Sequence, residues 1–104
     1  FAEVEDIQTP YSVPGGTHIY NQYIVRVPRR ADLQAYLSER QIGNAIYYPI
    51  PLHLQECFAH LGYQAGDFPE AEKAAQETLA LPVYPELMPE QQDYVIETIQ
   101  NFYR

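Results

Sequence analysis

Proline and glycine cut this chain into short pieces, and that restricts it to small elements. Pro49 and Pro51 close one β-prone run, and Pro82 and Pro85 bracket another. Proline has no N–H to give to a sheet ladder, so strands end or weaken at these positions. Pro28, Pro69 and Pro89 stand where apolar helical stripes begin, a position at which the missing N–H costs nothing. Gly43 and Gly62 follow two of those stripes, as helix stops do.

The pieces themselves are readable. His18 to Val27 is rich in β-branched and aromatic residues, with Ile19, Asn21, Tyr23, Val25 and Val27 on one face, and reads as a strand. Leu33, Tyr36 and Leu37 give the next segment a helical stripe. Asn44 to Tyr48 reads as a shorter strand. His53 to Leu61 reads as a helix burying Leu54, Cys57, Phe58 and Leu61. The next helix has Asp67 as N-cap, Pro69 in its first turn and Glu70 at the reciprocal position, with Ala71, Ala74, Ala75, Thr78 and Leu79 as its thin apolar face. Ala80 to Tyr84 is a third strand or extended segment. From Pro89 a last helix repeats Val95, Ile99 and Phe102. The predicted order is β-α-β-α-α-β-α: a small two-layer α/β sandwich of the α+β class with mixed or antiparallel pairing. Residues 1–17 read as a connector and 18–104 as the domain.

Charge and composition exclude several functions. The chain carries 14 acidic and 6 basic residues, a net charge of −8. It repels phosphate backbones unless its cations cluster. Arg26, Arg29 and Arg30 are three arginines at a strand end and helix start, read as solvated rather than as a nucleic-acid patch. No apolar run is long enough to span a membrane, and the first residues lack the form of a signal peptide. A start at Phe1 is expected of a chain cut from something longer. One cysteine excludes an internal disulfide. The ten tyrosines suit half-buried surfaces and polar ligands.

Catalytic chemistry is not evident within the chain. Cys57 and His60 share a predicted helix, but a buried thiol beside a surface imidazole is the commoner arrangement. His18, His53 and His60 lack metal-ligand spacing. Lys73, the single lysine, lies between Glu70, Glu72 and two alanines, where the carboxylates favour its charged and non-nucleophilic form.

Three segments together resemble one family. They are His18-Ile19-Tyr20-Asn21-Gln22-Tyr23-Ile24-Val25-Arg26; Ile42-Gly43 followed by Tyr47-Tyr48-Pro49-Ile50-Pro51-Leu52-His53-Leu54-Gln55; and Leu61-Gly62-Tyr63 through Gly66-Asp67-Phe68-Pro69 to Leu79-Ala80-Leu81-Pro82-Val83-Tyr84-Pro85. In order and spacing they are similar to the C-terminal small domain of DegT/DnrJ/StrS aminotransferases, from His18 to Phe102. The resemblance implies a homodimeric, cytoplasmic, pyridoxal-phosphate enzyme that moves an amino group, usually from glutamate, onto a nucleotide-linked keto sugar. The Tyr-Asn-Gln-Tyr strand is most similar to the subgroup using uridine-diphosphate sugars. In such enzymes the cofactor's lysine and its ring-nitrogen aspartate lie in a large N-terminal domain, so no cofactor is expected on this piece and no catalytic residue within it.

By the same resemblance, Tyr47 and Tyr48 fall in a His/Tyr-Tyr-Pro segment, His53 in a Pro-Leu-His segment, and His18, Tyr20 and Asn21 in the first strand. All six are carried over as substrate-binding positions. Tyr47 stands where the family often has His. Two other readings stay open: an acidic binding module that keeps the fold, and a pyridoxal-phosphate sugar dehydratase of the same family. Apart from a large domain, the piece is expected to expose apolar surface and self-associate.

Overall fold

The computed structural model describes residues 1–104. A two-stranded antiparallel sheet pairs β1 (Tyr23–Arg26) with β2 (Thr78–Leu81), with Val25 opposite Leu79 and Arg26 opposite Thr78. Helix α1 (Arg30–Glu39) packs on β2, and α3 (Pro89–Tyr103) packs on α1. Between them lie two short 3₁₀ turns, Leu52–Leu54 and Glu56–Leu61, and α2 (Pro69–Glu77). The core is Ile7, Val25, Val27, Leu33, Leu37, Ile42, Leu79, Leu81 and Ile99. These residues join the sheet to α1 and α3 as a small sheet-on-helix layer, which agrees with the expected class.

The expected middle strand does not form. Ala45 alone reaches the sheet, exchanging both backbone hydrogen bonds with Ala80 at 2.8 and 3.3 Å. The prolines at 49 and 51 then stop any further ladder. β1 also starts later than expected. Tyr20 takes a left-handed φ of 49° and residues 21 and 22 bend, so the extended run begins at Tyr23. The third run begins earlier than expected. Thr78 leaves α2 with its hydroxyl donating to the Ala74 carbonyl at 2.7 Å, so Thr78 and Leu79 serve the strand and not the helix.

Helix ends differ for similar reasons. α1 stops at Glu39, not at Gly43. Gln41 takes the left-handed position with φ 60°, Ile42 N–H donates to the Leu37 carbonyl at 3.0 Å, and Ile42 is buried. That is a Schellman closure driven by burial of the residue after the turn. The Asp67 carboxylate accepts from the Gln64 N–H at 2.7 Å and caps nothing in α2, whose N-terminal flank is Phe68. Pro69 holds the expected first position. The predicted helix over 53–61 is split by an extended Gln55, with φ −73° and ψ 143°. Its apolar stripe therefore never forms one face, and Cys57, expected to be buried, is exposed. The stretch read as a connector contributes Ile7 to the core and pairs Gln8 with the edge of β1.

The arginines are not simply solvated. Arg30 donates to the Ala75 and Thr78 carbonyls at the end of α2, where a cation suits the helix dipole. Arg29 lies 4.5 Å over the Phe102 ring and 5.6 Å from that of Tyr103, and Arg26 Nε is 3.5 Å from a Glu77 carboxylate oxygen. No helix is long and apolar enough to cross a membrane.

Tyr103 closes the far end of α3, its hydroxyl donating to the Pro28 carbonyl at 2.7 Å. Burial pushes its phenol up to about 12, opposed by Arg29 and helped by Asp6. A raised folded pKa stabilises the neutral form, so its contribution is whole below the unfolded value near 10 and is lost as pH rises toward 12. Because the ring is partly exposed, screening leaves about 1 kcal/mol. Urea unfolding followed from pH 8 to 12 should show a fall above pH 10 that is shallower in Tyr103→Phe. Equal falls in both proteins would contradict this assignment.

Candidate functional site

The mouth of the site is set by the two places where the sheet gives out. Beyond β2, the ladder ends at Leu81 and Pro82 leads irregular chain through Tyr84. Ahead of β1, the bend at Tyr20 swings Asn21 and Gln22 over the sheet end. The single Ala45–Ala80 bridge brings Asn44 and Tyr47 alongside. The result is an open groove of about 350 Å³ walled by Asn21, Gln22, Asn44, Tyr47, Pro82 and Tyr84.

The groove is uncharged, its polar groups set in a lining that is more than half apolar. Its donors are the Tyr47 and Tyr84 hydroxyls and the Asn21 and Gln22 amides. Asn44 Nδ2 is already engaged with the Ser38 hydroxyl at 3.3 Å and the Ile42 carbonyl at 3.1 Å, which leaves its amide oxygen. Neutral donors of this kind contribute on the order of 1 kcal/mol each. They can read sugar hydroxyls or share a phosphate oxygen, but they cannot neutralise a diphosphate, which calls for charged donors.

Of the six expected binding residues, Asn21 and Tyr47 meet in this groove. Tyr48 sits beside it, its ring perpendicular to that of Tyr47 at 6.1 Å and 61% exposed. His18 and Tyr20 form a separate cluster. Their rings stack at 4.2 Å, His18 Nδ1 accepts from the Tyr20 N–H at 2.9 Å, and the Tyr20 hydroxyl is 3.2 Å from that of Ser12. Tyr20 and Tyr23 line a second, mostly apolar groove of about 420 Å³ with Leu87 and Ile96. The two grooves share Leu81, Pro82 and Val83. Burial, then the nearby Tyr20, raises the Tyr23 phenol, so Tyr23 presents a neutral hydroxyl there.

His53 belongs to neither groove. It is buried, with Nε2 3.6 Å from a Glu72 carboxylate oxygen and its ring 4.9 Å from Phe68. At that distance no hydrogen bond forms, and Nε2 has no other partner. The sequence missed Asn44, Gln22 and Tyr84. Two of them were findable, since antiparallel pairing of the runs at 44–48 and 80–84 puts Asn44 and Tyr84 at the same end of the pair.

The chain's residues do not fit pyridoxal phosphate. Lys73, the single lysine, is on the exposed side of α2 and lines none of the grooves described. No three His, Cys, Asp or Glu side chains are grouped to hold a metal. Cys57 Sγ faces Gln55 at 3.9 Å rather than His60.

The family model described as the DegT/DnrJ/EryC1/StrS aminotransferase family matches residues 1–100. A "pleiotropic regulatory protein" of Geobacillus stearothermophilus is 55% identical over 98 residues, which are 94% of this chain and 26% of the relative. The dTDP-3-amino-3,4,6-trideoxy-alpha-D-glucose transaminase of Micromonospora megalomicea subsp. nigra is 37% identical over 104 residues, 96% of this chain and 28% of that protein. The crystal structure of S. venezuelae DesV in complex with a ketimine intermediate superposes with a TM-score of 0.94 at 30% identity, covering 99% of this chain and 28% of DesV. The chain thus spans about a quarter of the length of the relatives it matches.

Proposed function

Because the chain belongs to the DegT/DnrJ/EryC1/StrS aminotransferase family, we propose that it is the small domain of a pyridoxal-phosphate sugar aminotransferase and walls the pocket for a nucleotide-linked keto sugar. The amino donor is glutamate, and the finer reading of a uridine-diphosphate sugar rests on the Tyr20-Asn21-Gln22-Tyr23 segment. The observation that carries the proposal is the uncharged groove joining Asn21 to Tyr47 in a chain a quarter the length of its relatives.

The cofactor, when bound by residues outside this chain, supplies the electron sink for moving the amino group. The residues here bind and orient. The Tyr47 and Tyr84 hydroxyls and the Asn21 amide offer hydrogen bonds at fixed places on the groove wall. Leu81, Pro82 and Val83 form an apolar shelf shared by the two grooves. Uncharged donors that hold substrate equally before and during reaction lower KM without raising kcat.

Two measurements test this. The reading frame upstream of Phe1 should encode a large domain with a lysine-bearing cofactor site; a start codon next to Phe1 would reject the proposal. In that full-length protein, the Tyr47→Phe and Asn21→Ala double variant should raise KM for the nucleotide sugar by about 10-fold, the equivalent of one or two neutral hydrogen bonds, with kcat within about two-fold. An unchanged KM would remove the groove from the substrate site.

A further inference from the structure

Residues 47–70 form an arm with one buried side chain, His53, and 56–70 are exposed throughout. The imidazole meets the Phe68 ring edge-on at 4.9 Å, and its Nε2 stands 3.6 Å from Glu72. Glu72 is itself held, since both its oxygens accept the Gly66 N–H at 2.7 and 3.0 Å. Nε2 is buried without a hydrogen-bond partner, an arrangement that costs stability. Neither groove includes His53 in its lining. What His53 does have is a stiff link to the groove. Between it and Tyr48 run Pro49-Ile50-Pro51-Leu52. Each proline locks its own φ and restricts the residue before it, so this link has few ways to bend. The Gln55 amide closes it by donating to the Ile50 carbonyl at 3.0 Å. On the other side of Tyr47, Ala45 exchanges both backbone hydrogen bonds with Ala80. Tyr47 and Tyr48 therefore lie on a strap fastened at Ala45 to the sheet and at His53 against Phe68 and Glu72.

We propose that His53 is a positioning residue for the sugar groove: it pins the far end of the strap, sets where the Tyr47 hydroxyl stands, and does not itself meet the substrate. The proposal rests on the groove reading given above and names a residue that acts through one of its walls. Burial of the imidazole away from the groove argues against direct binding. Its place outside the core cluster argues against a role in holding the sheet-helix layer together. With His53 removed, the strap is held at Ala45 alone. Tyr47 must then be ordered each time substrate binds, and that entropy is charged to binding. A neutral donor of this kind holds substrate equally before and during reaction, so the loss falls on KM and not on kcat.

The test is a pair of double-mutant cycles in the full-length protein, read as KM for the nucleotide sugar. His53→Ala should raise KM about 5-fold, with kcat within about two-fold. Made on Tyr47→Phe, the same change should move KM by less than about two-fold, because the hydroxyl that His53 places is already gone. Asn21 lies ahead of β1 and off the strap, so on Asn21→Ala the His53 effect should persist in full. Where His53→Ala does not give folded protein, the cycles are run with His53→Gln, which keeps a polar end and loses the ring. An unchanged KM, with or without a lower melting midpoint, would make His53 purely structural and overturn the proposal. Equal effects on the parent and on Tyr47→Phe would mean another route, direct contact included, and overturn it as well. So would an effect lost equally on Tyr47→Phe and Asn21→Ala, which would report a general collapse of the groove. The groove reading fails on a different measurement, an unchanged KM in Tyr47→Phe/Asn21→Ala. This inference fails alone when that KM rises and the His53 effect is additive.

Discussion

Replacing Leu33 with alanine should cost this chain about 3 kcal/mol of stability, enough to leave it largely unfolded at moderate urea. The size of the effect follows from how little is buried. Only 13 of 104 residues are buried, and nine of those form the one cluster that joins sheet to helices. Leu33 sits at its centre, fully buried between α1 and β2, with Leu37, Leu79 and Ile99 equally enclosed. Truncation removes the transfer free energy of three carbons and leaves a cavity that a cluster this small cannot refill without pulling α3 off α1. Leu61→Ala is the matched control. The same chemistry at a side chain 53% exposed should change stability by less than about 0.5 kcal/mol in the isolated chain. Urea midpoints of the two variants should therefore separate clearly; similar losses would mean that the arm, not the sheet-helix layer, carries the fold.

The same contrast explains which parts of the structure were legible in the sequence. The stripe Leu33, Leu37 and the repeat Val95, Ile99, Phe102 name helix faces that are buried or half-buried, because each helix meets its partner within the chain. Val25 in β1 and Val27 just beyond it are both buried, as alternation requires. The stripe Leu54, Cys57, Phe58 and Leu61 has helical spacing too, but the extended Gln55 splits the segment, so these side chains never share one face. Local choices made by tertiary contacts were likewise unreadable. Gln41 turns left-handed in place of Gly43 because Ile42 is drawn into the core, and Thr78 leaves its helix because Arg26 offers it a ladder position. In the candidate site, Asn21 and Tyr47 were named from resemblance and come together through the Ala45–Ala80 bridge. His53 was named on the same grounds, and its imidazole is buried, facing Glu72 at 3.6 Å and packed on Phe68.

Glu72→Ala should release that arm. The Glu72 carboxylate accepts the Gly66 N–H with both oxygens, at 2.7 and 3.0 Å, and stands 3.6 Å from His53 Nε2. Gly66 has φ +95°, a conformation held open to glycine, so the turn before α2 depends on that acceptor rather than on a ladder. The Glu72 side chain is 19% exposed but Gly66 faces solvent, so the bond is worth about 1.5 kcal/mol, the bottom of the range for a charged acceptor. Its loss also removes the carboxylate that the buried imidazole faces. The consequence is local: amides from Gly62 to Phe68 should exchange 10-fold or more faster in Glu72→Ala, while those of β1, β2 and α3 keep their rates, because no core residue of the sheet-helix layer touches this turn. Glu72→Gln separates the two roles. Its side-chain oxygen still accepts from Gly66 but offers His53 no charge, so protection should return to within about three-fold of the parent if the hydrogen bond dominates. If Glu72→Gln is as loose as Glu72→Ala, the contact with His53 is what fastens the arm, and the hydrogen-bond account of the Gly66 turn is wrong.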